Sequence, residues 1–155
     1  MLLTYQLPRE PSTPRITLWR RLRRLGVAQL GDGLVALPAD PRTREQVEWL
    51  AEEVVEAGGE AGVWLARPST ATQERALIAA MEEARAAEYL AVADAVAREA
   101  AGPDPARAVQ RLRRQWREIT RRDYFPPPQR EVAAAALHAL TADGTESTAA
   151  QGRRP

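Results

Sequence analysis

The spacing of apolar positions along this chain alternates between short strand-like runs and helical periodicity, and each change marks an element. Leu2 to Leu7 is short and mostly apolar and runs into Pro8 and Pro11, which bar a central strand from continuing, so a first strand is expected there. Ser12 and Thr13 then offer a capping hydroxyl and Pro14 suits a first helical turn, ahead of ITLWRRLRRLG. In that stretch Ile16, Trp19, Leu22 and Leu25 recur every third residue with Leu18 beside them, and Gly26 is a natural C-cap. The pattern predicts an amphipathic helix with Trp19 and Leu22 buried and Arg20 and Arg24 at least partly exposed.

VAQL, the turn Gly31-Asp32-Gly33 and LVALP read as a hairpin with Asp-Gly turn chemistry, giving strands two and three. After DPRT, the segment REQVEWLAEEVVEAGG places Val47, Leu50, Ala51, Val54 and Val55 on a buried stripe. Glu45, Glu48, Glu52, Glu53 and Glu56 occupy the opposite face. Gly58-Gly59 ends this second helix, and a fourth strand is expected from Ala61 to Ala66.

The order strand, helix, strand, strand, helix, strand is the split βαβ arrangement. The fold class expected is therefore α+β: a ferredoxin-like sandwich over residues 1–68, with an antiparallel four-stranded sheet and two helices on one face. From Ser69 the pattern is helix only, in three segments: about Thr72 to Ala100, Pro105 to Arg122, and Gln129 to Leu140. These form a helical C-terminal extension over 69–141. Residues 142–155 lack apolar periodicity and are expected to be a disordered tail.

Composition narrows the function more by exclusion than by direction. The chain has 155 residues and no cysteine, which removes disulfides, thiolate zinc sites, iron–sulfur clusters and cysteine nucleophiles. No apolar run approaches the ~20 residues of a membrane-spanning helix, and the start MLLTYQLPRE does not read as a secretory signal. A cytoplasmic protein without membrane contact is the expectation. Net charge is only +1, and since there is no lysine every fixed side-chain cation is an arginine.

Catalytic apparatus is not evident. His138 is the one histidine, in an Ala-rich helix without a partner at metal-ligand spacing, and Ser12, Ser69 and Ser147 have no nearby base. Glycine placement matches neither a phosphate-binding loop nor a dinucleotide fingerprint. The expectation is a non-enzyme with no cofactor, metal or catalytic residue. Trp19, Trp49, Trp64 and Trp116 read as core or interface anchors.

Two arginine concentrations stand out. The first helix carries Arg15, Arg20, Arg21, Arg23 and Arg24 with no acid among them, but the acidic second helix expected beside it can offset that charge through surface pairs. In QRLRRQWREITRRDYF, Arg114, Arg117 and Arg121 are spaced at three and four residues and share one helical face, interleaved with Trp116, Tyr124 and Phe125. Such a face suits phosphates or tetrahedral oxyanions, which guanidinium groups hold with paired hydrogen bonds; the competing reading pairs it with Glu82, Glu83 and Glu88. The candidate anion- or nucleic-acid-binding residues are Arg114, Arg117, Arg121 and Arg122, with Arg20 and Arg24 second.

In order and spacing, LPREPS, WRRLRRLG, the hairpin ending ALP and EWL…EAGGEA resemble the N-terminal domain of the chromate resistance protein ChrB family. The likeness extends more loosely through Glu88-Tyr89 and Arg122-Asp123-Tyr124-Phe125. Full-length members resemble chromate-responsive transcriptional regulators with a further C-terminal domain, and the sequence ends before such a segment. The resemblance thus implies a chromate-resistance regulatory or accessory protein, with operator DNA or an oxyanion (chromate) as ligand. The alternative is a non-catalytic interaction module that forms a homodimer or docks on a separate C-terminal-type partner protein. The strand-helix-hairpin segment also resembles the central domain of the PaaX repressor family, whose fold is similar to small CRISPR adaptation nucleases. Those carry an aspartate at the end of strand one, where this chain has Tyr5-Gln6-Leu7-Pro8, so no nuclease activity is implied.

Overall fold

The computed structural model describes residues 1–100, 102 and 105–151. The chain divides into two compact units, Met1–Met81 and Glu82–Pro155.

The first unit contains β1 (Leu2–Gln6), α1 (Thr13–Leu25), β2 (Ala28–Gly31), β3 (Leu34–Ala36), α2 (Pro41–Glu56) and β4 (Glu60–Trp64). The strands form one sheet in the order β2-β3-β1-β4, antiparallel at each pairing. Leu3 is the hinge of the register, opposite Val35 on one side and Val63 on the other. Leu3, Val35, Leu18, Leu22, Val47, Leu50 and Val54 are buried, and α2 lies against β4 and β1 and touches α1. The β2–β3 turn is Asp32-Gly33, with Gly33 at φ +68° and a register shift between Gln29 and Gly31.

Local chemistry sets both helix starts. Asp40 and Thr43 make a reciprocal capping box: Asp40 Oδ1 accepts from the Thr43 backbone N–H at 2.9 Å, and Thr43 Oγ1 accepts from that of Asp40 at 3.2 Å. Ser12, in contrast, makes no side-chain cap on α1. Its own backbone is α-like (φ −74°, ψ −18°) instead of the extended conformation that aims a hydroxyl at the following amides. Pro14 does sit in the first turn, and Gly26 closes the helix in the left-handed conformation, φ 70°.

The burial of α1 corrects one expectation. Leu18 and Leu22 face the core, whereas Trp19 is 51% and Ile16 46% exposed. A strict three-residue spacing drifts about 60° per step around a helix of 3.6 residues per turn, so Ile16, Trp19, Leu22 and Leu25 cannot share one face. The stripe that can is Leu18-Leu22-Leu25. In α2, Val47, Leu50 and Val54 are buried as expected, but Val55 is 58% exposed. Trp49 and Trp64 are exposed too, leaving Trp116 as the tryptophan that packs against a buried cluster.

α3 (Ala71–Glu99) runs across the division between the units, and the second unit continues with α4 (Pro105–Thr120) and α5 (Gln129–Gln151). Its core is Tyr89, Val92 and Val96 from α3, Leu112 and Ile119 from α4, and Ala133, Leu137 and Leu140 from α5. The last helix continues beyond Leu140 into the segment expected to be a tail. Ala142, Glu146, Ala149, Ala150 and Gln151 favour that continuation, whereas Gly144, at about 1 kcal/mol, and more weakly Thr141, Asp143, Thr145, Ser147 and Thr148 oppose it. Residues 152–155 of the expected tail lie outside the described residues. Among the described residues no helix is long and apolar enough to cross a membrane.

Candidate anion-binding groove

Within the second unit, α4 and α5 flank an open groove of about 1270 Å³. Its lining includes Arg107, Arg111, Arg113, Arg114, Arg117 and Trp116 from α4, Leu137 and His138 from α5, and Glu99 from the end of α3. The reason lies in the phase of α4. Ala108, Leu112 and Ile119 recur at helical spacing and are buried, which rotates the intervening arginines outward onto the groove wall.

The electrostatics are one-sided. Among the described residues of the lining there are five guanidiniums and one carboxylate, and that carboxylate, Glu99, is already ion-paired with Arg111. Arg114 and Arg117 form no ion pair among the described residues. The alternative pairing with Glu82, Glu83 and Glu88 is realised at Arg122, whose Nη2 donates to Glu88 Oε1 at 3.0 Å. Arg121 is exposed but does not line the groove, since α4 ends at Thr120 and the next residues leave the helical path. Arg20 and Arg24 lie on α1 in the first unit, exposed. Of the six candidates, then, the groove brings together Arg114 and Arg117.

Arg107, Arg111 and His138 were not among the candidate binding residues read from the sequence. The signal was present for the first two, because Arg107, Arg111 and Arg114 recur at four and three residues along one face. His138 carried no signal, as its relation to α4 exists only once α5 is packed.

At the α3 to α4–α5 junction a buried polar cluster holds the helices in register. The Tyr89 hydroxyl, on a fully buried residue, donates to Asp123 Oδ2 at 2.8 Å, and Thr120 Oγ1 donates to the Trp116 carbonyl at 2.9 Å. Arg130 stands over the Trp116 ring, 5.9 Å from its centroid, with Nη1 3.9 Å from Asp123 Oδ2. Burial pushes the Tyr89 phenol up, and the bond to Asp123 adds to this against an opposing effect from Thr120. Arg85, part of the same cluster, is pushed down by burial, partly offset by Glu88. The cluster fixes the wall that Trp116 presents to the groove.

Fold and groove together define an α/β protein with an antiparallel sheet and a helical part bearing an arginine-lined face. A family model described as Protein ChrB, N-terminal, matches residues 15–100, more than half of the chain, and the chain belongs to that family. This membership associates it with chromate resistance. The match spans α1 to the end of α3, so the groove arginines of α4 lie outside the matched residues. No curated protein matches the chain, and no solved structure does.

Proposed function

We propose that this chain is a non-catalytic, cytoplasmic regulatory protein of chromate resistance that binds the phosphate backbone of operator DNA in the α4–α5 groove. The observation that carries the reading is that Arg114 and Arg117 line the groove without an ion pair among the described residues, while the lining's described carboxylate, Glu99, is already paired with Arg111. A wall of that kind attracts polyanions and releases their counterions on binding. Its volume of about 1270 Å³ exceeds what a single tetrahedral oxyanion fills, which favours an extended ligand. The non-catalytic reading rests on the single histidine, the absence of cysteine and the lack of any carboxylate in β1. For the first unit, the element order and the strand order β2-β3-β1-β4 support the ferredoxin-like split βαβ class.

A second reading has its own support: Arg114 and Arg117, three residues apart, can converge on one chromate or sulfate dianion. The test is to replace both with Gln, verify the fold by circular dichroism, and titrate the gene's upstream DNA, chromate and sulfate at several salt concentrations. Loss of DNA affinity with a salt slope smaller by about 2, one per phosphate contact removed, is the expected result. DNA affinity and slope unchanged by the double substitution would refute the groove, and loss confined to chromate would select the oxyanion reading.

A further inference from the structure

The outer surfaces of α1 and α2 carry opposite charge side by side. α1 exposes Arg20, Arg23 and Arg24 with Ile16 and Trp19, and it contains no acid. α2 exposes Glu45, Glu52 and Glu56 with Trp49, the latter 58% exposed. The helices touch, and Arg21 of α1 is ion-paired with Glu53 of α2. Arg20, Arg24, Glu45, Glu52 and Glu56 form no ion pair among the described residues. The intramolecular neutralisation that the sequence suggests is therefore incomplete at these five positions.

We propose that this two-helix surface is the interface with a second copy of the chain, α1 of each protomer lying over α2 of the other. A two-fold axis running between the helices and along them exchanges the basic and acidic stripes, so each copy presents the charges its partner lacks. Such a self-complementary pattern is what an isologous dimer requires. It also disfavours a nucleic acid on α1, because a phosphate backbone laid there would run within about one helix diameter, ~10 Å, of the glutamates of α2. Trp19 and Trp49 supply the apolar contact, the residue type that most often anchors an interface. Helices of 13 and 16 residues offer a face of about 20 Å by 20 Å, roughly 800 Å² over both copies, which is the range of weak, transient association. The dimer is accordingly salt-sensitive and reversible. It is independent of the α4–α5 groove.

The test uses the full chain in sedimentation velocity over a concentration series at low and high salt. The native chain is expected to self-associate, more weakly at high salt. Arg20→Glu with Arg24→Glu should weaken association by about tenfold or more, as should Glu45→Arg with Glu52→Arg. An equimolar mixture of the two double variants should restore the dimer as a heterodimer, since every stripe again meets its opposite. That rescue also proves both variants folded. A native chain monomeric throughout the series overturns the proposal, as does a dimer that both double variants leave intact. If the native chain binds DNA and Arg20→Glu with Arg24→Glu abolishes that binding while the dimer persists, α1 is a nucleic-acid surface and the proposal is likewise overturned.

Discussion

The hydroxyl of Tyr89 on α3 and the carboxylate of Asp123, just after α4, are joined by a 2.8 Å hydrogen bond in a site from which water is excluded. The Asp123 side chain is itself wholly buried, so its charge depends on this donor and on Arg130 at 3.9 Å. Tyr89→Phe keeps the ring and removes the donor, leaving a buried carboxylate short of one partner. The expected loss is about 1–3 kcal/mol of stability at neutral pH, read from urea unfolding. Because the folded-state phenol is raised, its proton is held more tightly in the folded chain than in the unfolded one. That contribution is complete below the ordinary tyrosine value of about 10 and is lost as pH rises from there through the folded value. Stability of the native chain should therefore fall above about pH 10, and Tyr89→Phe should flatten that fall.

Leu22 and Trp19 are three residues apart on α1 and have opposite environments, 2% and 51% exposed. Leu22→Ala is expected to cost about 2–5 kcal/mol through lost burial and the cavity left behind. Trp19→Ala should cost well under half of that, although it deletes the larger side chain. Equal costs in chemical denaturation would show that α1 is rotated from the phase described.

Gly33 turns the β2–β3 hairpin at φ +68°, and a Cβ placed there would lie 2.3 Å from the Tyr5 carbonyl oxygen. That backbone cannot retreat easily, since the Tyr5 amide donates to the Gly33 carbonyl at 2.8 Å. Gly33→Ala therefore meets both the left-handed backbone penalty, about 1–2 kcal/mol, and a clash. It should destabilise more than Gly58→Ala, where φ is +77° but nothing lies within 4 Å. Thermal unfolding of the two variants side by side makes the comparison.

Asp40→Ala removes one half of the capping box at the start of α2 and should cost about 0.5–2 kcal/mol. Thr43→Val should cost as much or more. Thr43 is 1% exposed, and its hydroxyl both accepts from the Asp40 amide and donates to the Pro38 carbonyl at 2.6 Å, so the substitution removes two bonds and leaves the Asp40 amide to the Pro38 carbonyl alone, at 3.2 Å. Urea midpoints for the two variants give the ranking.

The sequence alone determined the order of elements, because the period of apolar residues differs between strand and helix and because Pro8, Pro38, Gly26 and Gly58-Gly59 mark where each must stop. It also carried the arginine-rich character of α4 and the family resemblance that the matched residues 15–100 bear out. The phase of α1 was legible too, since 3.6 residues per turn puts Leu18, Leu22 and Leu25 on one face, and the burial of Leu18 and Leu22 with Trp19 exposed follows that geometry and not the three-residue spacing. Which arginines line the groove was decided by tertiary structure. Arg114 and Arg117 keep solvent access on the groove wall while Arg122, in the same run, is taken by Glu88 from α3. His138 joined the groove only through the docking of α5 on α4. Periodicity along one chain fixes what a helix can present, but a charge becomes part of a site or of an ion pair only when a second helix settles which neighbour it meets.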